Sequence, residues 1–167
     1  MRLLSLLWTP WNSDPAVLKR LDTILTSWER TPYREHASTP YTRGINCIGF
    51  VCCVLDEWRD PDGNSKLVWP NGIPSDVGMN NPKKAKEMMR LLLETFPQHE
   101  RVNDNTAQPG DILVMGQEGP GHAMIVGPRK NTIWHAAGHH VHYTGWELPH
   151  HCKHFATYRL KGRDTFI

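Results

Sequence analysis

Residues 44–58 read GINCIGFVCCVLDEW, and this stretch decides the fold. From Asn46 to Trp58 it is apolar nearly all round, which predicts a helix buried on every side. Cys47 stands where a glycine-containing loop meets the first turn of that helix. The exposed N–H groups of a helix N-terminus favour a thiolate, so this position is expected to lower the Cys47 pKa. Gly49, two residues on, lets backbone or substrate approach closely. Cys52 and Cys53 lie deeper in the helix, beyond the expected reach of substrate. On these residues alone, Cys47 reads equally well as a nucleophile and as one more small core residue.

Working outward, Ser13-Asp14-Pro15 form a helix N-cap region, and Val17, Leu18, Leu21, Ile24 and Leu25 carry an amphipathic helix to about Trp28. A loop with Pro32, Pro40 and Gly44 follows. Residues 59–82 hold four prolines, three glycines and four asparagines, so this segment is expected to be a long loop insertion. A further helix is expected from Lys83 to about Phe96. Beyond it the chain turns to strands. Gln108-Pro109-Gly110-Asp111 has Pro and Gly in the central places of a type II turn. Strand candidates follow at 112–115, 122–127, 132–137, 139–146 and 154–160. Helices first and a meander of strands after make an α+β pattern, with the buried helix packed on an antiparallel sheet of about five to six strands.

The whole chain, 1–167, reads as a single domain, with residues 1–15 as an N-terminal extension. A formal charge of +2 is too small, and the basic residues too scattered, to point to nucleic acid or an anionic membrane. The opening MRLLSLLW is too short for a signal peptide core or a bilayer span, so synthesis in the cytoplasm without a signal peptide is expected. Of the four cysteines, Cys47, Cys52 and Cys53 crowd together, unlike a secreted disulfide scaffold, and reduced thiols are expected.

A thiol nucleophile needs a base within hydrogen-bond reach, and the base needs a polar partner to fix its tautomer. His122 opens an apolar strand directly after Gly119-Pro120-Gly121, which is expected to place it at a sheet edge facing a cleft. His135 lies in the next strand, within IWHAA, and antiparallel neighbours can bring the two imidazoles side by side. A lone histidine in an apolar strand is more often structural. Two in paired strands downstream of a helix-start cysteine favour catalysis.

The settings GINCIGFV, PGHAMIVG and IWHAAG, in that order, resemble the NlpC/P60 peptidase family, with its D-C-S-G-F-like helix start, P-G-D turn and two histidine strands. WERTPYREHAS (28–38) resembles the W-x-G-T-P-Y-x-H-x-A-S stretch of the phage-encoded branch, the cell-wall peptidases of tail tips and gene-transfer particles. The resemblance implies a papain-like fold, with Cys47 as nucleophile, His122 as base and His135 as orienting residue. It also implies Tyr33 as part of the oxyanion site. Asn46 stands where the family usually has Asp, Ile48 where it has a small residue, and Arg30 where it has Gly. The implied reaction is hydrolysis of an amide bond in peptidoglycan stem peptides through a thioester acyl-enzyme. No cofactor or metal is called for. The implied partners are the stem peptide and other virion tail proteins, with action on the bacterial cell wall from a tail. Trp69 and Trp146 are candidate cleft walls, with Asn46 and Tyr33 on the substrate side.

Three other readings compete. His139, His140, His142, His150, His151, Cys152 and His154 supply metal-ligand types, but their spacing matches no standard zinc motif. HHCKHF (150–155) resembles the N-C-E-H-F signature of the permuted, lecithin:retinol acyltransferase-like branch, which would make Cys152 the nucleophile of an acyltransferase or thioesterase-like enzyme. A catalytically inactive structural tail component would keep the fold without the chemistry.

Overall fold

The computed structural model describes residues 14–34, 44–59, 99–103, 106–116, 122–147 and 154–160. The helix expected at 83–96, nearly all of the 59–82 loop, Trp69 and Cys152 lie outside the described residues.

Helix α1 (Pro15–Trp28) starts as its sequence predicts, with the Asp14 carboxylate accepting from the Ala16 N–H at 2.9 Å and Pro15 inside the first turn. Its buried stripe is Leu21, Ile24 and Leu25. Helix α2 (Cys47–Arg59) is buried at Cys47, Ile48, Phe50 to Leu55 and Trp58, on nearly every side. Indole groups tie the two helices together. The Trp58 Nε1–H donates to the Val17 carbonyl at 3.0 Å, and the Trp28 Nε1–H to a Glu57 carboxylate oxygen at 3.0 Å.

The strands are β1 (His99–Val102), β2 (Ile112–Gly116), β3 (His122–Val126), β4 (Ile133–Ala137), β5 (His140–Thr144) and β6 (His154–Leu160). They form one antiparallel sheet in the order β1-β6-β2-β3-β4-β5. This corrects the expected meander, which holds only from β2 to β5. Strand β6 returns to the far side of β2, and β1 pairs outside it. The tie behind that return is Asp111, 1% exposed, which holds Arg159 of β6 through two bonds of 3.0 and 2.9 Å. Burial raises the Asp111 pKa, and the guanidinium pulls it back.

Alternation along the strands separates two faces. Ile112, Val114, Ala123, Ile125, Trp134, Ala136 and Val141 pack with both helices. Leu113, Met115, Met124, Val126 and Ile133 form the second face, with Trp146 against it. No helix among the described residues is long and apolar enough to cross a membrane.

The 108–111 turn closes as expected, with the Asp111 N–H donating to the Gln108 carbonyl at 3.0 Å and Gly110 at φ 87°. A Cβ on Gly110 would also lie 2.2 Å from the Trp58 ring. The turn is thus the floor on which the end of α2 rests. Gly110→Ala combines a strained φ with a clash against a buried ring, and should cost about 2–5 kcal/mol. Urea unfolding measures this, and a cost under about 1 kcal/mol would show that the turn is not bearing on Trp58.

Candidate active site

Helix α2 begins at a buried cap. Asn46 is 0% exposed, and its side-chain oxygen accepts from the Gly49 N–H at 2.8 Å. The Phe50 N–H donates to the Asn46 carbonyl at 2.9 Å. Asn46 is therefore the N-cap of the helix that carries Cys47, which fixes the cysteine in its first turn. A neutral amide does this without burying a carboxylate beside the thiol.

The Cys47 thiol is 1% exposed, as deeply buried as Cys52 and Cys53. This corrects both the expected exposure and the expected pKa. Burial pushes the thiol up to about 11, against the opposing pull of the Ala123, Ile48 and Cys47 backbone N–H groups. Desolvation outweighs the helix terminus.

The Ala123 contact locates the sulfur in the sheet. The Val126 N–H donates to the Asp111 carbonyl, toward β2. Alternation then sends the Ala123 N–H toward β4. Strands β3 and β4 pair at Ile125–Trp134 and Val126–Ile133, and the described ladder ends there. Where the described ladder ends, the Ala123 N–H acts on the sulfur and pulls its pKa down against burial.

On the other face at the same end of the ladder stands a row of imidazoles. His122 Nε2 and His135 Nδ1 are 2.7 Å apart, and His135 Nε2 and His142 Nε2 are 3.0 Å apart. His142 Nδ1 lies 2.9 Å from the His140 carbonyl oxygen. The expected pairing of His122 with His135 is present, and His142 extends it. The register explains this: His135 lies opposite His142, and Gly138, at φ 64°, makes the tight turn that brings β5 back. His122 begins an interior strand, not an edge strand, and is partly buried. Burial, with the neighbouring His142, pushes His122 down to about 4. Burial and the two flanking imidazoles push His135 down to about 3.

Among the described residues no hydrogen bond joins the Cys47 thiol to His122. The two meet through Ala123, the residue after the histidine. Tyr33 belongs to the same end of α2: its N–H donates to the His139 carbonyl at 2.9 Å, and it bridges to Ile45 in parallel. Its ring packs partly buried against the core. Trp146 does not join them. It lines an open recess of about 410 Å³ with Pro109, Pro128 and Asn131, at the β3–β4 turn. That is the end of β3 away from His122, about 13 Å along the strand at the usual rise. The imidazole row makes no metal cage, because His135 turns a different nitrogen to each neighbour. Among the described residues no group of three or more ligand-type side chains converges on a point.

Two solved structures share this architecture. One, described as similar to a lipoprotein of the NLP/P60 family from Staphylococcus aureus subsp. aureus Mu50, superposes with a TM-score of 0.56 at 16% identity. That match covers 89% of this chain and 43% of the staphylococcal one, so the chain spans less than half of that protein's length. The other is the P60 domain of an antigen from M. avium subspecies paratuberculosis, with a TM-score of 0.50 at 13% identity, covering 85% of this chain and 93% of that one. The fold is that of NlpC/P60 domains. No family model and no curated protein matches the sequence. Within the NlpC/P60 fold, Cys47 lies at the start of the buried helix and the histidines lie on adjacent strands.

Two measurements test these electrostatics. Alkylation of Cys47, mapped by mass spectrometry, should stay slow at pH 7 and climb through pH 9 toward 11, because only the thiolate reacts. A plateau reached by pH 7 would overturn the buried, protonated thiol. His122 and His135 sit below the unfolded value of about 6.5. The unfolded chain therefore takes up protons first, so stability is full above about pH 6.5 and falls toward pH 4. The slope is up to about 1.4 kcal/mol per pH unit for each histidine. His135→Gln should flatten this slope in thermal unfolding, and an unchanged slope would rule out a neutral buried His135.

Proposed function

We propose that the protein is a cysteine endopeptidase that cleaves an amide bond in peptidoglycan stem peptides. The observation that carries this reading is that Cys47, in the first turn of α2, and the His122–His135 pair both lie where the β3–β4 ladder ends, with the N–H of the residue after His122 acting on the sulfur. His122 Nε2 is engaged by His135, which leaves Nδ1 as the nitrogen for the thiol proton. The thiol and imidazole rest as a neutral pair, so the chemistry is general-base catalysis. Sγ forms its bond to the carbonyl carbon as its proton passes to His122 Nδ1. Backbone N–H groups at the start of α2, with Tyr33, receive the developing oxyanion. His122 returns the proton to the leaving amine, giving a thioester. Water, deprotonated by the same nitrogen, then releases the acid and restores the thiol. Cys47 and His122 lie toward opposite faces of the sheet, so this step requires the sulfur and Nδ1 to come together in the substrate complex, as catalytic hydrogen bonds that are open in a free enzyme commonly do.

The bond between D-glutamate and a diamino acid is the substrate that the family resemblance suggests. Residence in a virion tail rests on the 28–38 stretch alone. One observation favours a second reading, a structural component that keeps the fold without activity: the thiol is buried and its pKa is raised.

Incubation with defined diaminopimelate- and lysine-type muropeptides, followed by mass spectrometry, separates the two. Wild-type cleavage that drops by at least about 100-fold in Cys47→Ala and in His122→Ala supports the enzyme. Cleavage surviving in Cys47→Ala would move the nucleophile elsewhere. No cleavage by the wild type would favour the structural reading.

A further inference from the structure

The two-histidine site leaves His142 without a role, yet its ring is bonded into the row at both nitrogens. Its partner at Nδ1 is a backbone carbonyl, which only accepts, so the proton of neutral His142 must sit on Nδ1. Its Nε2 is then an acceptor, and the 3.0 Å contact can only be donated by the His135 Nε2–H. That makes His135 Nδ1 an acceptor in turn, so the 2.7 Å contact is donated by the His122 Nε2–H. One lone pair is left over, on His122 Nδ1. With all three rings neutral, every bond in the row has a single direction, and the His140 carbonyl sets them all.

We propose that His142 is a positioning residue that fixes the tautomer of His122 through His135, keeping the Nδ1 lone pair available as the base. This rests on the proposed cysteine chemistry for its purpose, though not for its geometry. The row also gives the transferred proton somewhere to go. Once Nδ1 of His122 is protonated, its Nε2 proton can pass to His135 Nδ1, and the His135 Nε2 proton to His142 Nε2. Three neutral rings and one proton go in, and the positive charge emerges on His142, with both its nitrogens protonated. Unlike His135, which is 4% exposed, His142 is partly open to solvent, so the charge need not stay in the buried site. Return of the proton for amine departure reverses the same steps.

The test reads tautomers directly, by long-range proton–nitrogen correlation spectra of the full chain labelled with ¹⁵N-histidine, at pH 7.5. In the wild type, His122 and His135 should carry their protons on Nε2 and His142 on Nδ1. His142→Phe keeps a ring but removes the acceptor, and should shift His135 and then His122 toward mixed tautomers. His142→Gln supplies a carbonyl oxygen to the His135 Nε2–H and should restore the wild-type pattern. Where muropeptide cleavage is measurable, kcat should fall about tenfold or more in His142→Phe and recover in His142→Gln. A wild-type His122 protonated on Nδ1, or unchanged His122 and His135 tautomers in a folded His142→Phe, would overturn the proposal. The wild-type spectrum decides even if a variant does not fold. Expected tautomers without cleavage would instead refute the peptidase reading and leave the row standing.

Discussion

Burying a helix on every side, with a cysteine in its first turn, leaves the backbone at that end of α2 to be satisfied from inside the protein. Asn46 answers by folding its own side chain back onto the Gly49 N–H. The Ala123 N–H, beyond the last β3–β4 pair, acts on the thiol and opposes the effect of burial on its pKa. At the other end of the helix Trp58 presses on Gly110, a contact that tolerates no side chain on the turn. That turn positions Asp111, and Asp111 holds Arg159 and so β6. The helix therefore governs the sheet order as well as the site. Where the β3–β4 ladder ends, Cys47 lies toward the helix face of the sheet and the imidazoles toward the other.

Burial also decides the charge state. A helix terminus stabilises a thiolate by a fraction of a charge, whereas removing that thiolate from water costs much more. The same imbalance keeps His122 and His135 neutral. An Asp in place of Asn46 would add a buried carboxylate next to the sulfur, and like charges would push the thiol higher still. The amide caps the helix equally well and leaves the pair neutral. In the proposed mechanism a neutral pair needs its base tautomer set in advance, because no ion pair holds the imidazole in place. The directional row through His142 does this with backbone and imidazole alone.

Much of this was legible in one sequence because the controlling patterns are local. The Asp14-Pro15 start of α1, the unbroken apolar run of α2 and the Pro109-Gly110 turn each declare themselves within a few residues. The pairing of His122 with His135 followed from two short neighbouring strands. What escaped is non-local. Strand β1, HERV, lacks the apolar alternation of a strand and holds only because β6 lies beside it. The return of β6 depends on the Asp111–Arg159 pair, whose partners are far apart in sequence. The depth of Cys47 depends on Ala123, and no helix pattern reveals that. In the sequence His142 reads only as a candidate metal ligand, since its position opposite His135 emerges only from the β4–β5 register.

Arg30 shows why a fold of this kind outlives its sequence signature. It stands where the resemblance has glycine, and its φ of 67° is the conformation in which glycine carries no penalty. Holding an arginine there costs about 1–2 kcal/mol. The backbone keeps the bend nonetheless, because the Arg30 N–H donates to the Val141 carbonyl at 2.9 Å and the Val141 N–H returns to the Thr31 carbonyl at 2.8 Å. These bonds pin the segment before Tyr33 to β5, the strand that carries His142. Shape at this corner is thus enforced by backbone pairing rather than by residue identity, so the identity can drift while the site stays assembled.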